Sequence, residues 1–215
     1  MKRRHFVLGA AVAAVAGGWW LRPSDRGGPY SEYFRSLNDE LKAHGPMRPV
    51  MLIDLDRLDH NIDVVMQSVQ RGGKHLRLVE KSLPSPGLLA YIAKRAGTAR
   101  LMSFHQPFLN HDAQVFPEAD ILMGKPLPVR SAELFYQTHK GPFDPARQLQ
   151  WLLDTPERLQ HYLALAQGLG TRLRVNIELD VGLHRGGISD NAVLGRMLTL
   201  ISANPQHLEL SLIHI

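Results

Sequence analysis

The chain contains no cysteine, so disulfides, thiolate catalysis and cysteine-type zinc sites are excluded within its 215 residues. It also lacks the spread of positive charge that a nucleic acid partner needs. The formal net charge is +5, but residues 1–26 hold Lys2, Arg3, Arg4, Arg22 and Arg26 against Asp25, which places +4 in the leader and +1 in everything after it. The high pI is a property of the leader, and no nucleic-acid partner is expected. The apolar run from Phe6 to Leu21 is shorter than the roughly 20 residues a spanning helix requires. There is no G-x-G-x-x-G order to support a dinucleotide site, and no internal repeat or low-complexity stretch.

What is present begins with an export pattern. Lys2-Arg3-Arg4-His5-Phe6 precedes a short apolar stretch, and Ala14-Val15-Ala16 offers a small-residue cleavage site. The Arg-Arg-x-Phe order looks like a twin-arginine signal, which implies an exported, periplasmic protein. Trp19-Trp20-Leu21 offers the alternative of an uncleaved anchor at a membrane interface. Residues 1–28 are read as this leader and its linker, and 29–215 as one domain.

After a helix from Ser31 to Lys42, a short apolar strand is expected at Val50–Ile53. Asp54 or Asp56 then caps a helix with Leu58, Ile62, Val65, Met66 and Val69 on its core face, and Gly72-Gly73 ends it. From Leu76 a βα rhythm sets in. Strands are expected at 76–80, 100–104, 120–123, 149–153, 173–179 and 208–212. The helices between them start at Ser85-Pro86, near Pro107, near Val129, at Thr155-Pro156 and at Ser189. Leu159, Tyr162, Leu163, Ala166 and Leu169 are expected to face inward from the fourth, and Val193, Leu194, Met197, Leu198 and Ile201 from the last. Strands alternating with helices predict an α/β fold with a parallel sheet. Six strands and five crossover helices fit either an open doubly wound sheet or an incomplete (β/α)8 TIM-type barrel, and a chain that stops inside a strand favours the barrel.

Two stretches carry candidate chemistry. Leu76-Arg77-Leu78-Val79-Glu80-Lys81 delivers Lys81 to the C-terminal end of a strand, where barrel enzymes keep their active sites. Its amine suits a nucleophile or a Schiff base, or it is a plain surface lysine. Glu80 should point to the opposite side of its strand and serve as a structural partner. Glu178-Leu179-Asp180-Val181-Gly182-Leu183-His184-Arg185-Gly186-Gly187-Ile188 brings Arg185 to the same sheet edge between two glycines. Its fork of donors suits a phenolate, carboxylate or phosphate, or an ion pair with Asp180 or Glu178 that holds the loop. His105, His111 and Asp112 lack a recognised metal-ligand spacing, so no metal is assigned there. Lys125, after Gly124, reads as a solvated loop lysine.

These stretches, with Val50–Leu58 and His60-Asn61-Ile62, resemble the alanine racemase N-terminal-domain family, in its D-threonine aldolase and D-serine dehydratase branch. The resemblance runs from about Pro49 to Leu210. It implies a fold-type III pyridoxal 5'-phosphate barrel, with Lys81 as the Schiff-base lysine and base at the substrate α-carbon, and Arg185 as donor to the cofactor's phenolic oxygen. It further implies a D-amino or 3-hydroxy amino acid substrate; aldol cleavage, dehydration or racemisation; a homodimer at full length; and a divalent metal in a further C-terminal part. Departures are Ser82-Leu83-Pro84, where an aromatic or histidine-rich triplet is usual, and Ser211–Ile215, which does not match the motif expected there. The alternatives are a non-catalytic pyridoxal phosphate carrier and an inactive fragment.

Overall fold

The computed structural model describes residues 27–182 and 184–214, with the side chains of 212–214 left aside. The leader and linker expected at residues 1–28 lie outside the described residues up to residue 26. The described residues divide into two compact units, one ending at Ile53 and the other beginning at Asp54. In the first, α1 (Glu32–His44) has no buried residue, and Glu40 reaches His44 one turn on at 2.9 Å. The strand expected at Val50–Ile53 does not form. Val50, Met51, Leu52 and Ile53 are all exposed and outside the sheet. An apolar run has the composition of a strand, but a strand exists only with a ladder partner for its backbone groups.

The second unit opens with α2 (Leu55–Arg71), capped by Asp54, whose Oδ1 accepts from the Arg57 N–H at 2.9 Å. Ile62 is buried and Leu58 and Met66 partly so, whereas Val65 is exposed. Next comes β1 (Leu78–Val79), shorter than expected because Glu80–Ser82 winds into a single 3-10 turn. Then follow α3 (Pro86–Ala96), β2 (Arg100–Ser103), α4 (Gln106–Val115), β3 (Asp120–Met123), α5 (Val129–Thr138), an unexpected one-turn α6 (Pro145–Gln148), β4 (Leu149–Leu153), α7 (Pro156–Leu169), β5 (Leu173–Glu178), α8 (Asn191–Ser202) and β6 (Leu208–His214).

Most expected starts hold. Ser85 accepts from the Leu88 N–H at 3.4 Å and Thr155 from the Arg158 N–H at 3.1 Å, each ahead of a proline in the first turn. Gly97 and Gly170 close α3 and α7 in the left-handed conformation. One cap moves: α8 is capped by Asp190, not Ser189, through the Ala192 and Val193 N–H groups. Leu169, expected to face inward, is exposed at the last residue of α7.

All six strands are parallel and ordered β1-β2-β3-β4-β5-β6. A doubly wound sheet reverses its strand order partway. With the right-handed crossovers that parallel strands take, unbroken sequential order puts the crossover helices on one face, which is the winding of a barrel sector. The chain is therefore a six-strand part of a (β/α)8-type barrel.

The outer face of the sheet is apolar and packed. Trp151 is 1% exposed and lies 5.4 Å from the Tyr162 ring and 6.2 Å from the Phe135 ring, centroid to centroid. The inner face is polar at its N-terminal end. There the Asp120 carboxylate accepts from Arg77 and, at 2.7 Å, from Gln150 Nε2, with Arg174 Nη1 at 3.4 Å. Asn176 and Ser211 both donate to Gln150 Oε1. This network ties β1, β3, β4, β5 and β6 together at the barrel floor, away from the edge that carries Lys81 and Arg185.

Candidate active site

Lys81 sits in the turn Glu80–Ser82, two residues past β1 and at the C-terminal edge of the sheet. Its side chain is exposed, and Nζ stands 4.2 Å from the centre of the Phe104 ring. A cation over an aromatic face is attracted by the ring's quadrupole, so Phe104 is a platform for the ammonium. The platform depends on Gly124, just past β3. A Cβ there would stand 2.5 and 2.6 Å from Phe104 Cζ and Cε1 and 2.7 Å from Met102 Cγ. Only a residue without a side chain leaves the ring where it lies.

Arg185 is carried by the loop after β5, which is pinched at its base. Leu179 bridges Ile188, the Asp180 N–H donates to the Ile188 carbonyl at 3.0 Å, and the Ile188 N–H donates to the Glu178 carbonyl at 2.8 Å. Gly187 (φ 97°) makes this closure sterically feasible, since a Cβ would meet Asp180 N and Leu179 C at 2.8 Å. Asp180 is spent inside the loop. It accepts from the N–H groups of Gly182 and His184 and lies 2.9 Å from His184 Nδ1. The His184 hydrogen bond, helped by the two backbone donors, holds its carboxyl below the usual aspartate range. His184 itself takes a positive φ of 51°.

The ion pair proposed as the alternative role for Arg185 is not made. Arg77, Arg95, Arg130, Arg158, Arg172 and Arg174 all have carboxylate partners. Arg185 is exposed and, among the described residues, has none; Lys81 likewise has no anion. The sheet brings both to one edge, on β1 and β5, without direct contact between them. Two unpaired cations there fit a group that offers a carbonyl to an amine and a phenolic oxygen to a guanidinium.

The other candidates separate from these two. His105 caps α4, its Nδ1 accepting from the Phe108 N–H at 3.4 Å. Asp112 is buried on the outer side of the sheet, and Lys125 is exposed. Among the described residues no three potential ligands come together to hold a metal ion, and no helix is long and apolar enough to cross a membrane. Phe104 and Gly124 carried no signal in the sequence, because their contact joins the ends of β2 and β3.

Residues 53–214 match the family described as "Alanine racemase, N-terminal domain", and the chain belongs to that family, the barrel family of fold-type III pyridoxal phosphate enzymes. Among solved structures it is similar to D-threonine aldolase from Filomicrobium marinum (TM-score 0.62, 16% identity, covering 77% of this chain and 43% of that one). It is also similar to alanine racemase from Oenococcus oeni (TM-score 0.57, 18% identity, 69% and 41%) and to D-threo-3-hydroxyaspartate dehydratase from Delftia sp. HT23 (TM-score 0.55, 23% identity, 74% and 41%). At these identities the likeness is one of fold. The chain spans less than half the length of each of these structures. A comparison with curated proteins finds no match.

Proposed function

We propose that this chain is the cofactor-binding barrel of a pyridoxal phosphate enzyme. The enzyme acts at the α-carbon of a D-amino or 3-hydroxy amino acid, by aldol cleavage, dehydration or racemisation. The observation that carries the reading is the pair of cations without anions, Lys81 and Arg185, at the C-terminal edge of a barrel of this family. The names of the similar structures, an aldolase, a dehydratase and a racemase, support the three reactions, each of which breaks a bond to the α-carbon and leaves the electron pair on that carbon.

The cofactor, when bound, supplies the electron sink. The chain supplies the rest. Lys81 is the amine that holds the cofactor, and once released it is a base placed at the substrate α-carbon. Arg185 donates to the phenolic oxygen, favouring its ionised form and fixing the ring's tilt. Phe104 keeps the lysine at the mouth. The leader directs the protein out of the cytoplasm, and the full-length enzyme pairs as a homodimer.

The test is spectroscopic. Adding pyridoxal phosphate to the full chain gives a visible absorbance band and, after borohydride, a stable adduct. Lys81→Ala loses both. Arg185→Gln keeps the adduct but shifts the band and weakens binding. An adduct that survives Lys81→Ala overturns the assignment.

A further inference from the structure

Glu80, the residue directly before the proposed cofactor lysine, is a charged type in a buried place. It is 7% exposed and faces the outer side of the sheet, away from the barrel mouth. Its Oε2 lies 3.3 Å from Ser103 Oγ on β2. Asp112, on α4, is 4% exposed and leaves its Oδ2 with no hydrogen-bond partner among the described residues. Both carboxyls line a cavity of about 150 Å³ between α3 and α4, otherwise walled largely by Leu83, Pro84, Leu89, Phe108 and Phe116.

The charges facing this cavity are few. β2 contributes the Ser103 hydroxyl, α3 contributes no ionisable group, and α4 contributes His111 on the wall with His105 at its cap. No lysine or arginine lines it, and Lys81, on the same turn, lies over Phe104 instead. Two carboxylates that line one apolar cavity cannot both be ionised cheaply.

We propose that Glu80 and Asp112, which face one cavity, hold one proton between them, and that this shared proton, carried by Glu80 toward Ser103, seats the Glu80–Ser82 turn, which makes Glu80 a positioning residue for Lys81. The heavy-atom geometry accommodates it. At 3.3 Å a neutral Glu80 can donate to Ser103 Oγ, a hydroxyl that accepts as well as donates. Burial, reinforced by the charge of Asp112 and opposed by the Ser103 hydrogen bond, pushes Glu80 up to about 7. Burial also raises Asp112, against the pull of Ser103, His111 and His105. Above neutrality the proton leaves, the two carboxylates repel, and the turn loosens directly beside Lys81. The consequence for a cofactor amine rests on the proposed function; the shared proton does not.

The experiment uses the full chain without cofactor, its Asp and Glu side-chain carboxyl carbons labelled for NMR, together with amide hydrogen exchange over residues 80–83. One glutamate carbon titrates near neutrality, and the signal is gone in Glu80→Gln. In Asp112→Asn its midpoint falls by about one pH unit or more, because a charged neighbour has been removed. Exchange at 80–83, corrected for its intrinsic pH dependence, rises about tenfold across neutrality in the natural chain and stays flat in Glu80→Gln, whose amide replaces the neutral acid as donor. The proposal is overturned if no glutamate titrates above the ordinary range, or if Asp112→Asn leaves the midpoint in place. It is equally overturned if the exchange step persists in Glu80→Gln. Should Glu80→Gln fail to fold, the Asp112→Asn midpoint decides. Loss of cofactor binding with these titrations intact counts against the proposed function and not against the shared proton.

Discussion

Gly124→Ala tests how the lysine is held. The added methyl would sit 2.5 to 2.7 Å from Phe104 Cζ and Cε1 and from Met102 Cγ. That is about an ångström inside the roughly 3.5 Å of an ordinary carbon contact. Both obstacles are side chains, so the ring must tilt or slide, and it is the ring under the Lys81 ammonium at 4.2 Å. Forced overpacking of this kind costs about 2 kcal/mol, which for a chain of this length lowers Tm by about 4–8 °C. Phe104→Leu alone costs about 1 kcal/mol, in ring contacts and in the cation–π attraction. In the double variant the smaller Leu makes room for the methyl, so the two effects couple by about 1–2 kcal/mol in the favourable direction. Urea unfolding of the four proteins reads this cycle directly. If Gly124→Ala lies within about 0.5 kcal/mol of the natural chain, or the cycle shows no coupling, the ring is not held by the glycine.

Two further outcomes follow from the carboxylates. Glu80 has a raised folded pKa of about 7 against an ordinary value of 4.5, so the folded chain binds more protons between those values. Its contribution is fully present below the ordinary glutamate range and is lost as pH rises through about 7. Allowing for water reaching the cavity, Glu80→Gln should match the natural chain in acid and exceed it by about 1–2 kcal/mol at alkaline pH, as read by urea unfolding at both. An equal difference at both pH values contradicts this. Asp120→Ala strips Arg77, Gln150 and Arg174 of a shared acceptor at the barrel floor. With Asp120 about one-third exposed, the cost should be about 2–4 kcal/mol in thermal unfolding, and a change below 1 kcal/mol would remove the floor network from the account.

Much of this was legible in the sequence where the information is local. Ser85-Pro86 and Thr155-Pro156 mark helix starts because a capping oxygen and a proline act within one turn. Alternating strand and helix patterns give the barrel winding for the same reason. Gly187 was legible as a close approach, though the partner is the backbone of Leu179 and Asp180 and not a ligand. Ser189 and Asp190 are both competent caps, and only the path of the chain into α8 chooses Asp190. Val50–Ile53 reads as a strand because composition does not report whether an edge is there to receive it. The Phe104 platform, the Asp120 floor and the Glu80–Ser103–Asp112 cluster were not legible, because each joins residues on different strands or helices. Glu80 was expected only as a structural partner, since a sequence shows a carboxylate but not the second one buried beside it.

Lys81 is the amine proposed to carry pyridoxal phosphate. The most direct measurement is to reduce the cofactor-treated natural chain with borohydride, digest it and locate the label by mass spectrometry. The expected result is a single labelled peptide with the cofactor on Lys81. A label on Lys74, Lys94 or Lys125, or no label at all, would contradict it.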